Sequence, residues 1–262
     1  MNSSLRTSAS GMIAQQRMID VIANNLANVN TTGFKRSRAN FEDVLYETLQ
    51  GVRVINYTAS ETTSPIQIGR GVRLAAVLRL HSQGISEETQ RPLDAAIEGA
   101  GFFQVQRPDG VAAYTRDGSF NLSDTGALVT DGGYLLEPGI VVPLDATEIA
   151  ISASGVVSVT GEGGTNPIEI GRIELARFLN PSGLLSIGEN QYLETPASGE
   201  PILGYPNEGG FGRLMQGALE ASNVEIVREM TDMIAAQRAY EINARAITAG
   251  DQMMQVTNDL IR

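Results

Sequence analysis

The chain has 262 residues, 42% of them hydrophobic and 19% charged, with no cysteine, a single histidine and a net charge of −11; that length suits one large domain or two small ones. Without cysteine there is no disulfide scaffold, thiolate metal site or thiol nucleophile, and His81 alone builds no multi-histidine zinc or iron centre. The charge is unevenly spread, from +4 over residues 1–40 to −13 over 41–221 and −2 over 222–262, and an acidic body of that kind repels nucleic-acid phosphates and anionic lipid. No run of about 18 apolar residues is present to span a membrane, and the N-terminus carries no pattern of a cleaved signal peptide.

Near the N-terminus, Leu5, Ala9, Met12, Gln16, Ile19, Ala23 and Leu26 alternate spacings of four and three, and six of the seven are apolar. This predicts a helix bearing the narrow seam of a coiled coil rather than a broad globular face. Asn28, Asn30 and Gly33 supply the stop signal. Asparagine is a poor helix former, so Asn24, Asn25, Asn28 and Asn30 read either as a fraying end or as amides that fix register between subunits. Residues 34–97 read as an extended connecting segment, with Phe41–Leu49 as a short amphipathic piece.

Residues 98–194 change character. Turn signals recur at Pro108-Asp109-Gly110, Asp117-Gly118, Asp124-Thr125-Gly126 and Asp131-Gly132-Gly133, separated by short apolar segments. Strands are expected at Gly101–Val105, Leu128–Thr130, Tyr134–Leu136, Ile149–Ile151, Val156–Val159, Ile168–Ile170 and Ile173–Phe178. This is an all-β domain, followed by a second extended segment over 195–221. Ser222 and Glu225 then form a capping-box pattern ahead of another seam: Ile226, Met230, Met233, Gln237, Tyr240, Ala244, Ile247, Asp251, Met254, Asn258 and Ile261. Gly250 is a weak point in that helix, costing about 1 kcal/mol relative to alanine.

The expected fold class is therefore α+β: long terminal helices, 1–33 and 222–262, forming a coiled-coil-like core, with the β-domain inserted between connecting segments. At 1.5 Å per residue the helices would span roughly 40 and 60 Å, and neither buries its seam alone. Antiparallel pairing of the two, beside copies from other subunits, is the simplest arrangement; an ordinary two-helix brace on a globular body is the alternative. Ordering so much helix costs ~1–2 kcal/mol of backbone entropy per residue, which suggests terminal segments that fold only against neighbours. Aspartate at Ile19 or Ile234 is expected to block such association.

Most catalytic patterns are absent. The only lysine, Lys35, follows Phe34 and so completes no P-loop, and no Gly-x-Ser-x-Gly elbow or Ser-x-x-Lys occurs. Gly69-Arg70-Gly71 and Gly99-Ala100-Gly101 lack the third glycine of a dinucleotide fingerprint and read as turns or bulges. The aspartates before glycines lack the spacing of a calcium loop. No cofactor is expected. Paired carboxylates stay open, since a glycosidase needs only two acids meeting in space; a secreted hydrolase acting on peptidoglycan is the reading from another class.

Ser10-Gly11-Met12-Ile13-Ala14-Gln15-Gln16, followed by the run Val21-Ile22-Ala23-Asn24-Asn25-Leu26-Ala27-Asn28-Val29-Asn30-Thr31-Thr32-Gly33-Phe34-Lys35, resembles the signature of flagellar rod and hook axial proteins. Downstream, Phe41–Tyr46, Leu80-His81-Ser82-Gln83-Gly84, Gly101–Val105, Ala113–Phe120 and Gln237–Glu241 extend the resemblance over essentially the whole chain, toward the distal-rod members of that family, with another rod subunit of the same family as the alternative. The resemblance implies a structural subunit, not an enzyme, assembled with identical copies into a rigid helical tube that transmits motor torque and forms part of the export channel. It also implies proximal rod, hook and P- and L-ring proteins as partners, and a basal-body location between periplasm and outer membrane. Export would run through the flagellar type III apparatus, and Tyr46–Pro65 would brace neighbouring subunits. Neither nucleic acid nor membrane insertion is expected. The residues expected at the self-assembly interface are Leu5, Ala9, Met12, Ile19, Ala23, Asn24, Asn25, Leu26, Asn28, Ile226, Met230, Met233, Ile234, Tyr240, Ala244, Ile247, Met254 and Ile261.

Overall fold

A computed structural model describes residues 3–50, 66–161 and 166–260. The architecture is α+β, with an N-terminal helix α1 (Ser3–Ala27), a C-terminal helix α2 (Ile226–Leu260) and a large β-region between them. The expected interface residue Ile261, and the part of Tyr46–Pro65 beyond Gln50, lie outside the described residues. The chain divides into two compact units: Met1–Leu26, Ser37–Leu78 and Glu225–Arg262 form one, and Ala27–Arg36 and Arg79–Val224 the other.

In the helix-bearing unit, α1 and α2 meet antiparallel. Asn25 bonds Glu229, Gly11 faces Asn243 and Gly250 faces Leu5, so partners recede along one helix as they advance along the other. The buried positions are Ala14, Ile22 and Asn25 on α1 and Glu229, Ala236 and Gly250 on α2. Most of this contact line lies beside the expected seams, with Leu5 the seam member on it; Gly11, Ala14, Ala236 and Gly250 are small enough to let the backbones approach. Gly250, expected to weaken α2, has a packing reason: a Cβ there would stand 2.8 Å from Leu5 Cδ2. Beside the helices, Ser37–Asp43 pairs with Val72–Arg79, and Tyr46–Gln50 pairs antiparallel with Ile66–Gly69. The amphipathic piece Phe41–Leu49 is thus the end of one strand and most of another. Ser10 Oγ ties α1 to this layer by accepting from the Val72 N–H at 3.2 Å.

The expected capping box does not form. α2 starts at Ile226, its first turn closing with the Glu229 N–H on the Glu225 carbonyl, while Ser222 Oγ is buried without a hydrogen-bond partner. The neighbouring Asn223 explains this, since its amide is committed to the carbonyls of Leu80 and Ser82 and accepts from the Arg36 N–H.

The β-rich unit follows its turn chemistry. Arg107 N–H bonds the Val111 carbonyl around Pro108-Asp109-Gly110, with Gly110 at φ +79, and this closes an antiparallel hairpin of Phe102–Gln106 with Ala112–Thr115. Gly126 (φ +78) and Gly133 (φ +80) turn Leu128–Thr130 onto Phe120–Leu122 on one side and Leu135–Leu136 on the other. Asp117-Gly118 is not a hairpin turn. A Cβ on Gly118 would fall on the Ala95 carbonyl oxygen, so this glycine admits a neighbouring backbone. The sheet continues through Gln191–Leu193 and Leu185–Gly188, with Leu175–Arg177 and Ile202–Gly204 added alongside Phe102–Gln106. Ala146–Ile151, Val156–Gly161 and Ile168–Arg172 form a second sheet of three strands. Phe103, Val105, Phe120, Leu136, Val157, Ile173 and Leu175 fill the core between these elements with no measurable exposure.

Candidate assembly surface and buried polar centres

The expected interface residues fall into three groups. Asn25 is buried; Leu5, Ala9, Met12, Ile19, Leu26, Asn28, Met233, Ala244 and Ile247 are half-buried; Ala23, Asn24, Ile226, Met230, Ile234, Tyr240 and Met254 are exposed. On α2 the exposed ones are joined by Val227, Ile242, Met253 and Val256. That is a large apolar area on one helix, of the kind that marks an interaction surface.

Asn25 is the polar centre of the helix-bearing unit. Its Oδ1 accepts from the Ser37 N–H at 2.9 Å, and its Nδ2 donates to the Ser37 carbonyl at 2.8 Å and to Glu229 Oε2 at 3.0 Å. One amide therefore fixes the end of α1, the first residue of the following strand and the first turn of α2. For Asn25 the amide fixes register within the chain. Glu229 also sits in the first turn of α2, where the helix dipole favours a carboxylate.

The β-rich unit contains a centre the sequence reading missed. Lys35 Nζ lies 2.5 Å from Glu220 Oε1 and 2.9 Å from the Ser82 carbonyl; Arg116 Nη1 lies 3.2 Å from Glu220 Oε2. Gly84 N–H donates to the same carboxylate, and the Gly33 N–H donates to the Glu220 carbonyl. Burial holds both the Lys35 ammonium and the Arg116 guanidinium below their ordinary values in spite of Glu220. His81 packs edge-on to Phe102 and Tyr192, and burial, helped by Lys35, Arg116 and Arg79, pulls its value down to about 4. The imidazole is therefore neutral at pH 7. The available signal was Lys35 itself, the one lysine among 18 arginines: a compact ammonium fits where a guanidinium fork does not.

A pocket lined by Asp117, Asp131, Glu189 and neighbours has its acids taken up as acceptors, from Ser119 Oγ, Asn121 Nδ2 and the Tyr134 hydroxyl respectively. Among the described residues, no group of three or more metal-ligating side chains is placed to hold an ion, and no helix is long and apolar enough to cross a membrane.

Two terminal helices with many exposed apolar side chains and a β-rich middle are the elements expected of the flagellar axial class, and family comparisons show that class. The chain matches the flagella basal body rod protein family over residues 5–35, the flagellar hook protein FlgE/F/G D1 domain over 96–159, and the flagellar basal body rod FlgEFG protein C-terminal family over 215–260. It is 49% identical to the flagellar basal-body rod protein FlgG of Caulobacter vibrioides and 49% identical to that of Borreliella burgdorferi, each over 98% of both chains. Against FlgG of Bacillus subtilis the identity is 41% over 99% of both. The chain belongs to the FlgG family of flagellar basal-body rod proteins, and it is a structural component rather than an enzyme.

Proposed function

We propose that this chain is a distal-rod subunit that stacks with copies of itself into a rigid helical tube, transmitting motor torque to the hook and enclosing part of the export channel. The observation carrying this reading is the number of exposed apolar side chains along α2, where Ile226, Val227, Met230, Ile234, Tyr240, Ile242, Met253, Met254 and Val256 are all more than a third exposed. Burying those nine side chains against neighbours is worth on the order of 10 kcal/mol as an upper bound. That is enough to drive association once many copies meet. In this reading residues 1–33 and 222–262 form the coiled-coil core of the tube, 34–97 and 195–221 connect, and 98–194 face outward. Proximal rod, hook and ring proteins are its neighbours, and the chain reaches its place through the type III export apparatus.

Ile234→Asp tests this reading. The side chain is 50% exposed, so the charge is tolerated in a single subunit but not in a packed seam. Purified full-length protein should form tubes by electron microscopy. The variant should sediment as a monomer with an unchanged β-sheet melting transition and support no motility. Tubes of normal appearance from the variant would sink the reading.

A further inference from the structure

The ion cluster of the β-rich unit holds two buried cations, Lys35 and Arg116, against one buried carboxylate, Glu220. A third cation, Arg79, lies over the Phe34 and Tyr192 rings beside it. Isolated charge is costly away from water, and a positive surplus of this kind favours an anion nearby. Next to the cluster opens a cavity of about 440 Å³ whose lining includes His81, Phe102, Arg116, Arg177, Phe178 and Leu179, and no carboxylate. Two lining residues present nitrogens that are buried without a hydrogen-bond partner: Nε of Arg116, a residue only 5% exposed, and Nδ1 of His81. The other guanidinium nitrogens of Arg116 are committed, Nη1 to Glu220 and Nη2 to the Gly99 carbonyl.

We propose that this cavity is a binding site for a carboxylate carried on a short apolar stem. The carboxylate offsets the surplus positive charge and accepts from Arg177 and from the free N–H of Arg116, as charge-assisted bonds of this type are the strong ones. The stem lies against Phe102, Phe178 and Leu179, the last of which is 91% exposed at the mouth and otherwise has little reason to be apolar. A cation meets only like charge there. A sugar or other neutral polyol meets an aromatic and aliphatic wall with few acceptors.

Two sources carry this chemistry. One is a free organic acid. The other is a second copy of this chain, whose Leu144 is 96% exposed and is followed directly by the exposed Asp145, so that a knob and its charge come together. Only the second source rests on the assembly reading above; a tip on one copy entering a cavity elsewhere on the next is a head-to-tail contact, which does not close on itself.

Binding is measured by calorimetry on full-length protein carrying Ile234→Asp, so that failure to assemble and failure of the site are read separately. Hexanoate should bind saturably at one per chain, while hexylamine and hexanol should not. Leu179→Asp, a change at an exposed position, should weaken hexanoate at least tenfold, and Leu179→Asn should weaken it far less. Arg177→Gln should also weaken it about tenfold. Absence of saturable hexanoate binding, or binding indifferent to Leu179→Asp, overturns the proposal. A peptide spanning Val142–Asp145 that competes with hexanoate, together with weaker self-association of Asp145→Asn in protein that keeps Ile234, identifies the second copy as the source; hexanoate binding without either identifies a free acid. Each of these last two results supports the site.

Discussion

The two units solve the burial problem differently. In the β-rich unit, Phe103, Phe120, Leu136 and Leu175 are enclosed by sheets that cover both sides of them, and the apolar core is complete within one chain. In the helix-bearing unit, two helices give each other one line of contact built from Gly11, Ala14, Ile22, Ala236 and Gly250, while Val227, Ile242 and Met253 face outward. Two antiparallel helices present too little surface to enclose apolar side chains spread round α2, so many of these stay exposed in the single chain. The lesson is that exposure here follows from the number of elements, not from poor packing: the same chain buries aromatics fully where it has strands enough to do so.

The polar centres sharpen this contrast. The largest effect is expected from Glu220→Gln, which leaves Lys35 and Arg116 buried without a counter-charge; the β-rich unit should lose about 3–5 kcal/mol in urea unfolding, with the helical signal less affected. Asn25→Asp comes next. It turns a donor toward Glu229 and the Ser37 carbonyl into a second carboxylate, at a cost of about 3 kcal/mol localised to the helices by hydrogen exchange. Asn25→Ala should cost less, since it removes bonds without adding repulsion.

A pH titration probes the β-rich unit alone. His81 has a folded value of about 4 against an ordinary 6.5, so the unfolded chain binds the proton more readily. Its contribution to stability is whole above pH 6.5 and is lost as pH falls toward 4, on the order of 3 kcal/mol across that window. Between pH 6.5 and 4 the urea midpoint should fall less in His81→Phe than in wild type; an equal fall in both would locate the effect elsewhere. Smallest is Gly250→Ala. The new methyl meets the terminal methyl of Leu5, while alanine gains about 1 kcal/mol in helix propensity, so the net change in melting should stay within about 1 kcal/mol of zero.

Local chemistry was the legible part of this chain. The Asp-Gly turns place Gly110, Gly126 and Gly133 at positive φ with hairpin hydrogen bonds around them, because those conformations depend on the turn residues themselves. The strand Leu128–Thr130 falls as predicted, and Ile173–Phe178 shortens to Leu175–Arg177, the three residues that pair with Ile202–Gly204. Ser222 and Glu225 matched a capping pattern by spacing, yet Asn223 between them was already bound to Leu80 and Ser82, contacts more than a hundred residues distant in sequence.

By itself, then, the sequence determined that both ends are helical, that the middle is β, and that no thiol or multi-histidine chemistry is available, since each of these follows from composition or from short-range periodicity. Only the tertiary structure decided which stripe of each helix meets the other, that Asn25 joins α1 to α2 through Glu229, and that Lys35, Arg116 and Glu220 converge beside His81. The physical reason is range. Hydrophobic periodicity and turn preference act over a few residues, whereas a buried charge survives only beside a partner that folding brings from 185 positions away.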